Sequence, residues 1–498
     1  MMMKKSRIAL VLSAAVMGAV LASLAAEKPK MKLGWEFCVT HGKTPTLETA
    51  KRMIGIAASL GYEQIHLFSK AAFLYERHPE ASVGRSPYTW ADVRELVAFA
   101  ESKGVEMIPY QASFSHMEPW LDRPEYRSLA EAPEAGVKIR WGFVTKHPMG
   151  LCATDPRSLP FLEELWDELL PNFKSQYFNV GCDEFLEYDD GGRRSAAAVK
   201  EKGALVVYTD FLRQMDEAIR KRGKTMMFWA DIVIKHPEMV DRIPKTAVLL
   251  DWGYNVDSPF DAHGEILAKS GHRFWVCPGT SGWNSYVGVV DVMKGNASNA
   301  YRAGVRHGAE GLLMTTWGDG GHPSPWIVEL PGLVYAAALV REGRELTDAE
   351  LAARLDRICG CRCGEALLGY GYLAQVPNPR PCRSVIADVL RRRTNGKWLP
   401  KKMTDEGVQA ILAARRAADA KLDLTGAPDW VRDDFRLMGM FIDAFALRAK
   451  GEHARVVREM PGPYAELWLR QNRPGGLETS IELNLLQSEP WTQVKKWN

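Results

Sequence analysis

Gln176-Tyr-Phe-Asn-Val-Gly-Cys-Asp-Glu184 is the stretch from which the fold can be read. Tyr177, Phe178 and Val180 have the aromatic and β-branched content of a buried strand. Gly181 removes a side chain where that strand ends, so that backbone or ligand can come close. Asp183 and Glu184 follow at once. In a parallel α/β barrel the C-terminal ends of the strands form the catalytic face, and a carboxylate pair there reads as chemistry. Taken alone, the same pair reads equally well as the cap of the next helix, so the surrounding chain has to decide.

From about Lys32 onward, strand-like apolar runs alternate with amphipathic helical stretches, the pattern of repeated βα units. Strands are predicted at 33–39, 64–68, 105–111, 176–181, 225–230, 247–252, 273–277 and 311–316. Helices are predicted between them, among them 46–60 closed by Gly61, 88–103 stopped by Gly104, and one long helix over 196–222. Eight units in one run imply a closed (β/α)8 barrel. An open doubly wound sheet would want a glycine-rich phosphate turn after its first strand, and Gly34-Trp-Glu-Phe37 is not one. Beyond Arg341 the strand signals fade, and 348–358, 405–422 and 430–449 have helical periodicity. The expected fold class is therefore α/β: a TIM barrel over 30–343, then a mostly α-helical C-terminal domain over 344–498. Met117 to Leu151 is too long for a simple connection and is a candidate substrate loop on the catalytic face.

The 498 residues are too many for one ordinary domain. A net charge of +3 is small for this length and gives no reason to expect nucleic acid or a polybasic membrane surface. Residues 1–26 carry Lys4, Lys5 and Arg7, then an apolar run, then Ser23, Ala25 and Ala26, which is a secretory signal pattern. Export to the periplasm or outside the cell is expected, with no membrane span once the leader is gone. The intact mass of the protein from its native host should begin at Ala26 or Glu27; a mature chain retaining Met1 would overturn this. The eight cysteines lack the density of a disulfide framework. Cys359, Cys361, Cys363 and Cys382 form the one cluster, whose spacing suits a disulfide or free thiols better than zinc.

Strand ends far apart in sequence converge at a barrel mouth and can be read as one list: His116 and Glu118 after the third strand, Asp183 and Glu184 after the fourth, Trp229 and Asp231 after the fifth. The sixth adds Asp251, Trp252, Tyr254 and Asn255, the seventh Trp283, Asn284 and Tyr286, the eighth Trp317 and Asp319. Any one tryptophan reads as core. As a set at one mouth they suggest an aromatic pocket with polar pegs, the make-up of a sugar subsite.

Phe178-Asn-Val-Gly-Cys-Asp-Glu184 also resembles the hallmark strand of glycoside hydrolase family 20, the β-N-acetylhexosaminidases. Ile108-Pro-Tyr-Gln-Ala-Ser-Phe-Ser-His116, Phe161-Leu-Glu-Glu-Leu165 and Trp317-Gly-Asp319 are similar to family segments as well, and the likeness covers roughly 33–340. The resemblance implies an exo-acting glycosidase that removes a terminal N-acetylhexosamine from a glycan, without a cofactor. Glu184 is then the general acid/base, and Asp183 holds the 2-acetamido nitrogen. Trp229, Trp252 and Trp317 wall the acetamido pocket, with Tyr254 and Trp283 alongside; Asp319 reaches a sugar hydroxyl and His116 supports the site. Two positions depart from the family. The Arg at the end of the first strand is replaced by Thr40-His41-Gly42-Lys43, and the acid after the second strand by Ser69-Lys70. Arg85 is the candidate to take over the lost grip.

The chemistry can be argued without the family. A double-displacement glycosidase places acid and nucleophile on opposite sides of the anomeric carbon, about 5 Å apart. Neighbours leaving one strand come from the same side, so Asp183 and Glu184 suit substrate assistance, with the acetamido oxygen as nucleophile. Two other readings use the same residues. One is a metal-dependent barrel hydrolase with His116, Asp183, Glu184, Asp231 and His236, against which stands the absence of any His-x-His or His-Glu-x-x-His spacing. The other is a degenerate barrel that binds glycans without turnover, which the two departures favour.

Overall fold

The computed structural model describes residues 31–39, 42–139, 143–373, 384–391 and 404–486. The leader, Thr40, His41 and Cys382 lie outside them.

The expected barrel is present. Eight parallel strands close on themselves in sequence order: β1 Lys32–Cys38, β2 Gln64–Ser69, β3 Glu106–Gln111, β4 Tyr177–Asn179, β5 Thr225–Trp229, β6 Val248–Trp252, β7 Arg273–Cys277 and β8 Gly311–Thr316. Closure is made by β1 against β8, with Trp35 opposite Met314 and Phe37 opposite Thr316. Nearly every strand residue is buried, because helices cover the outside of the sheet while side chains fill its inside. β4 is the shortest strand, and its register with β3 reduces to Tyr110 opposite Asn179. The chain leaves the ladder early here, and the segment released carries Asp183 and Glu184.

One connection differs from the expected pattern. The long helix predicted over 196–222 is two helices, Ala196–Lys202 and Ala204–Lys221, broken at Gly203. Gly203 has φ 89 and ψ 145, open in practice only to glycine, and its freedom there outweighs the helical periodicity on either side. After β5 a single turn, Asp231–Ile234, and a 3₁₀ segment, Pro237–Arg242, replace a full covering helix. That leaves the rim beside β5 thinner than elsewhere.

The insertion after β3 folds into the short helices Glu118–Leu121 and Pro124–Arg127 and a small hairpin pairing Lys138–Ile139 with Phe143–Val144. It packs on the loop that follows β4: Ala132, Val137 and Ile139 bury Leu186. Glu187 accepts the backbone N–H of Met149 (2.9 Å) and Gly150 (2.6 Å), and Glu131 accepts both the N–H and the hydroxyl of Ser195. The insertion thus braces the acid-bearing loop from outside.

The C-terminal helices lie directly on the barrel. Trp326 donates to Asn472 (3.0 Å), and Asp434 accepts the Ile327 N–H (2.9 Å). Lys43, buried from water, donates to the Ser324 carbonyl and stands 4.2 Å over the Trp326 ring. Burial lowers its ammonium to about 8. At Gly475 and Gly476 the contact is backbone on backbone. A Cβ on Gly475 would come within 2.2 Å of the Arg85 carbonyl carbon, and one on Gly476 within 2.1 Å of the Gly42 oxygen. The segment 473–476 thereby straps the loops after β1 and β2, with Gly475 N–H on the Ser86 hydroxyl (2.9 Å) and Arg473 on Asp92 (3.0 Å). Cys359, Cys361 and Cys363 carry free thiols. No helix among the described residues is long and apolar enough to cross a membrane.

Candidate active site

The turn after β4 is held in an uncommon conformation. Gly181 (φ 73), Cys182 (φ 73) and Glu184 (φ 50) are all left-handed, as is His116 (φ 54) across from them. The reason for Gly181 is therefore handedness and not crowding, since a Cβ there would meet Ala112 and Tyr110 only at ordinary contact, 3.5 Å. Three bonds fix the turn: Gly181 N–H to Asn179 (3.0 Å), Trp229 N–H to the Gly181 carbonyl (2.9 Å), and the Tyr208 hydroxyl to the Cys182 carbonyl (2.7 Å). Strain maintained in this way aims Asp183 and Glu184 into the mouth.

Both carboxylates meet one imidazole. His116 Nε2 lies 3.2 Å from Asp183 Oδ2 and 3.6 Å from Glu184 Oε2. Burial is the largest influence and opposes the charged ring, but Asp183, by charge and hydrogen bond, and Glu118 together raise His116 to about 9, so it stays cationic at neutral pH. Glu184 is pushed above the ordinary carboxylate range, chiefly by burial and in part by the charges of Asp183 and Asp319, while His116 restrains the rise. Asp231 sits behind, its Oδ2 3.5 Å from the Glu184 N–H and 3.8 Å from Lys235 Nζ. Burial raises it to about 7.

The aromatic side is built in two layers. Trp252, Tyr254 and Trp317 are half-buried and face the mouth. Trp252 stacks on Tyr254 at 5.2 Å, and Trp317 donates its indole N–H to the Tyr254 hydroxyl at 2.7 Å. The indole N–H of Trp252 is buried and has no partner among the described residues, leaving a donor at the pocket wall. Trp229 and Trp283 stand behind these rings, contrary to the expectation that Trp229 is itself a wall. Trp229 is fully buried, 5.4 Å from the Trp317 ring, and donates to Tyr110 at 2.6 Å. Trp283 packs edge-on against Tyr254 at 5.1 Å. A strand-end position alone does not separate these layers.

On the opposite side, next to β2 and β3, Lys70 bonds Glu118 at 2.6 Å. Burial alone would raise the Glu118 carboxyl, but Lys70 and His116 hold it down at about 2. Its second oxygen is buried without a partner, as is Arg85 Nε. Arg85 is not in contact with the acid pair; it joins the site electrostatically through Glu118. Sequence reasoning placed Lys70 among the departures and missed its pairing with Glu118, 48 positions away. It missed Glu36 as well, buried in β1 with one oxygen on the Thr316 N–H (2.9 Å) and its pKa raised well above the usual range by burial. Asp319 is half-buried, and its charge bears on both Glu36 and Glu184.

Of the five ligands of the metal-hydrolase reading, the structure assembles three. His116, Asp183 and Glu184 offer atoms within 4.8 Å of one another, the one such group among the described residues. His236 faces Glu238 instead, at 3.4 Å.

Comparisons with known proteins bear on the family and the fold. Human hexosaminidase D is 21% identical over 340 residues, covering 64% of this chain and 67% of its own. Lacto-N-biosidase of Bifidobacterium bifidum is 29% identical over 157 residues, which cover 30% of this chain but only 13% of that protein. Among solved structures, Flavobacterium johnsoniae chitobiase superposes with a TM-score of 0.54 at 17% identity, covering 91% of this chain and 78% of its own. An inactive mutant of the Vibrio harveyi exo-β-N-acetylglucosaminidase gives 0.52 at 17%, over 67% and 59%. At such identities these likenesses concern the fold. The profile of the glycosyl hydrolase family 20 catalytic domain matches residues 40–303, more than half the chain, and the protein belongs to that family of glycoside hydrolases.

Proposed function

We propose that the protein is an exported, exo-acting glycosidase that releases terminal β-linked N-acetylhexosamine with retention, the substrate's own acetamido oxygen acting as nucleophile. The observation that carries this reading is the shared imidazole: Asp183 and Glu184 reach the same His116 nitrogen from one turn, so they do not flank a sugar as acid and nucleophile would. Glu184, with its raised pKa, protonates the leaving oxygen and later deprotonates water. Asp183 orients the acetamido N–H and stabilises the positive charge that forms as the ring closes. Trp252, Tyr254 and Trp317 enclose the acetamido methyl and exclude water, which strengthens both interactions.

A panel of aryl N-acetylglycosides set against the corresponding plain aryl glycosides tests the reading. Cleavage confined to the N-acetylated series is expected. Equal rates on both would remove the acetamido group from the mechanism, and inertness toward all of them would favour a binding protein.

A further inference from the structure

Three residues beyond Glu184 stands a buried carboxylate that the catalytic reading leaves unused. Glu187 is 1% exposed, and one of its oxygens accepts two neighbouring backbone N–H groups, Met149 at 2.9 Å and Gly150 at 2.6 Å. The other oxygen is buried with no hydrogen-bond partner among the described residues. Burial pushes this carboxyl up to about 7, against the pull of those N–H groups and with the help of the nearby Glu131 charge. The stability that a carboxyl with a raised pKa lends is present in acid and is lost as pH rises through about 7. Near neutrality the place of Glu187 is therefore explained by what it holds.

The segment it grips makes two further backbone bonds, and they fall on either side of His116. The Met149 carbonyl accepts the Met117 N–H at 2.8 Å, and the Leu151 N–H donates to the Phe114 carbonyl at 2.9 Å. His116 itself is left-handed, a conformation that persists only where the surroundings impose it. Gly150 shows how closely the parts meet: a Cβ there would come within 2.5 Å of the Phe185 ring and 2.8 Å of the free Glu187 oxygen. Phe185 follows Glu184 directly, and its ring packs on Phe114 at 4.2 Å. We propose that Glu187 is a positioning residue for the reaction, a clamp that fixes the backbone on both sides of His116 and so sets the imidazole against Asp183 and Glu184; the proposal rests on the catalytic role given to that pair above. The loop that carries the acids thereby also holds the backbone of the residue that meets them. The 3.2 Å contact between His116 and Asp183 is one side of a closed circuit, and residues 149–151 are the other.

The test pairs kinetics on an aryl N-acetylglycoside with an NMR titration of the His116 ring, whose signal is assigned by its loss in His116→Gln. Glu187→Ala leaves both N–H groups without their acceptor. It should lower kcat by up to about 10²-fold, the scale of a displacement of about 1 Å at the reacting groups, with KM little changed because the aromatic pocket stands on β6 and β8. The His116 ring, no longer held against Asp183, should titrate below the value of about 9 it has in the wild type. Glu187→Gln keeps an oxygen for both N–H groups and should restore most of kcat and the His116 titration. Glu187→Asp, whose shorter side chain cannot reach both donors, should show the same two changes as the alanine variant and serves if that one does not fold. A folded Glu187→Ala or Glu187→Asp protein with wild-type kcat and an unmoved His116 titration overturns the clamp, as does a Glu187→Gln protein as impaired as the alanine variant. If the wild type turns over no N-acetylglycoside, it is the catalytic reading that falls, and the His116 titration still decides the clamp.

Discussion

Glu184→Gln should lower kcat/KM by about 10²- to 10⁴-fold on glycosides with poor leaving groups and far less on activated aryl glycosides that depart without a proton. The amide keeps the size of the carboxyl but has no proton to transfer. It also has nothing to titrate. In the wild type the acid is active only while protonated, so the rate should fall as pH rises through the Glu184 pKa, which burial sets above the usual carboxylate range. That alkaline limb should be missing from the residual activity of the variant. Rates on substrates of graded leaving-group pKa, measured across pH, decide the matter: a uniform loss at every leaving group would take the acid role from Glu184.

Asp183→Asn should behave differently. The donor is intact, but the charge opposite the developing oxazolinium ion is gone, and a loss of about 10²- to 10³-fold should persist whatever the leaving group. His116 loses the partner that does most to raise it against burial. The ring should therefore titrate below about 9 in the variant. A cyclic thiazoline should bind the wild type tightly and the variant poorly. Were both variants to show the same leaving-group dependence, a second carboxylate would have to serve as nucleophile. Asp231, raised to about 7, and Asp319 would be the first candidates.

The barrel was legible because its signals are local. Strand after strand, such as Arg273–Cys277 and Gly311–Thr316, falls within a residue or two of the apolar runs that announce it. Gly203 escaped because periodicity on both sides favours one helix, and only its backbone angles show the break. The pairing of Lys70 with Glu118 depends on how the β2 and β3 loops meet, which no local pattern encodes. Trp229 and Trp317 have the same strand-end context, yet one is sealed behind the other. Their layering follows from hydrogen bonds to Tyr110 and Tyr254 that become visible only when the barrel closes.

The strap at Gly475 and Gly476 bears on the order in which the enzyme can be completed as it is synthesised. All eight strands have been made once Thr316 has been added, but the residues that pin the loops after β1 and β2 come 160 positions later, at 476. At about 5 to 20 residues per second, that is a delay of roughly 8 to 32 seconds. During it Lys43 lacks the Trp468 ring, and the loop bearing Arg85 lacks its partner. The bonds that fix the acid-bearing turn, from Asn179, Tyr208 and Trp229, all come from residues made before β8. The rim around them is finished only when the last helices arrive.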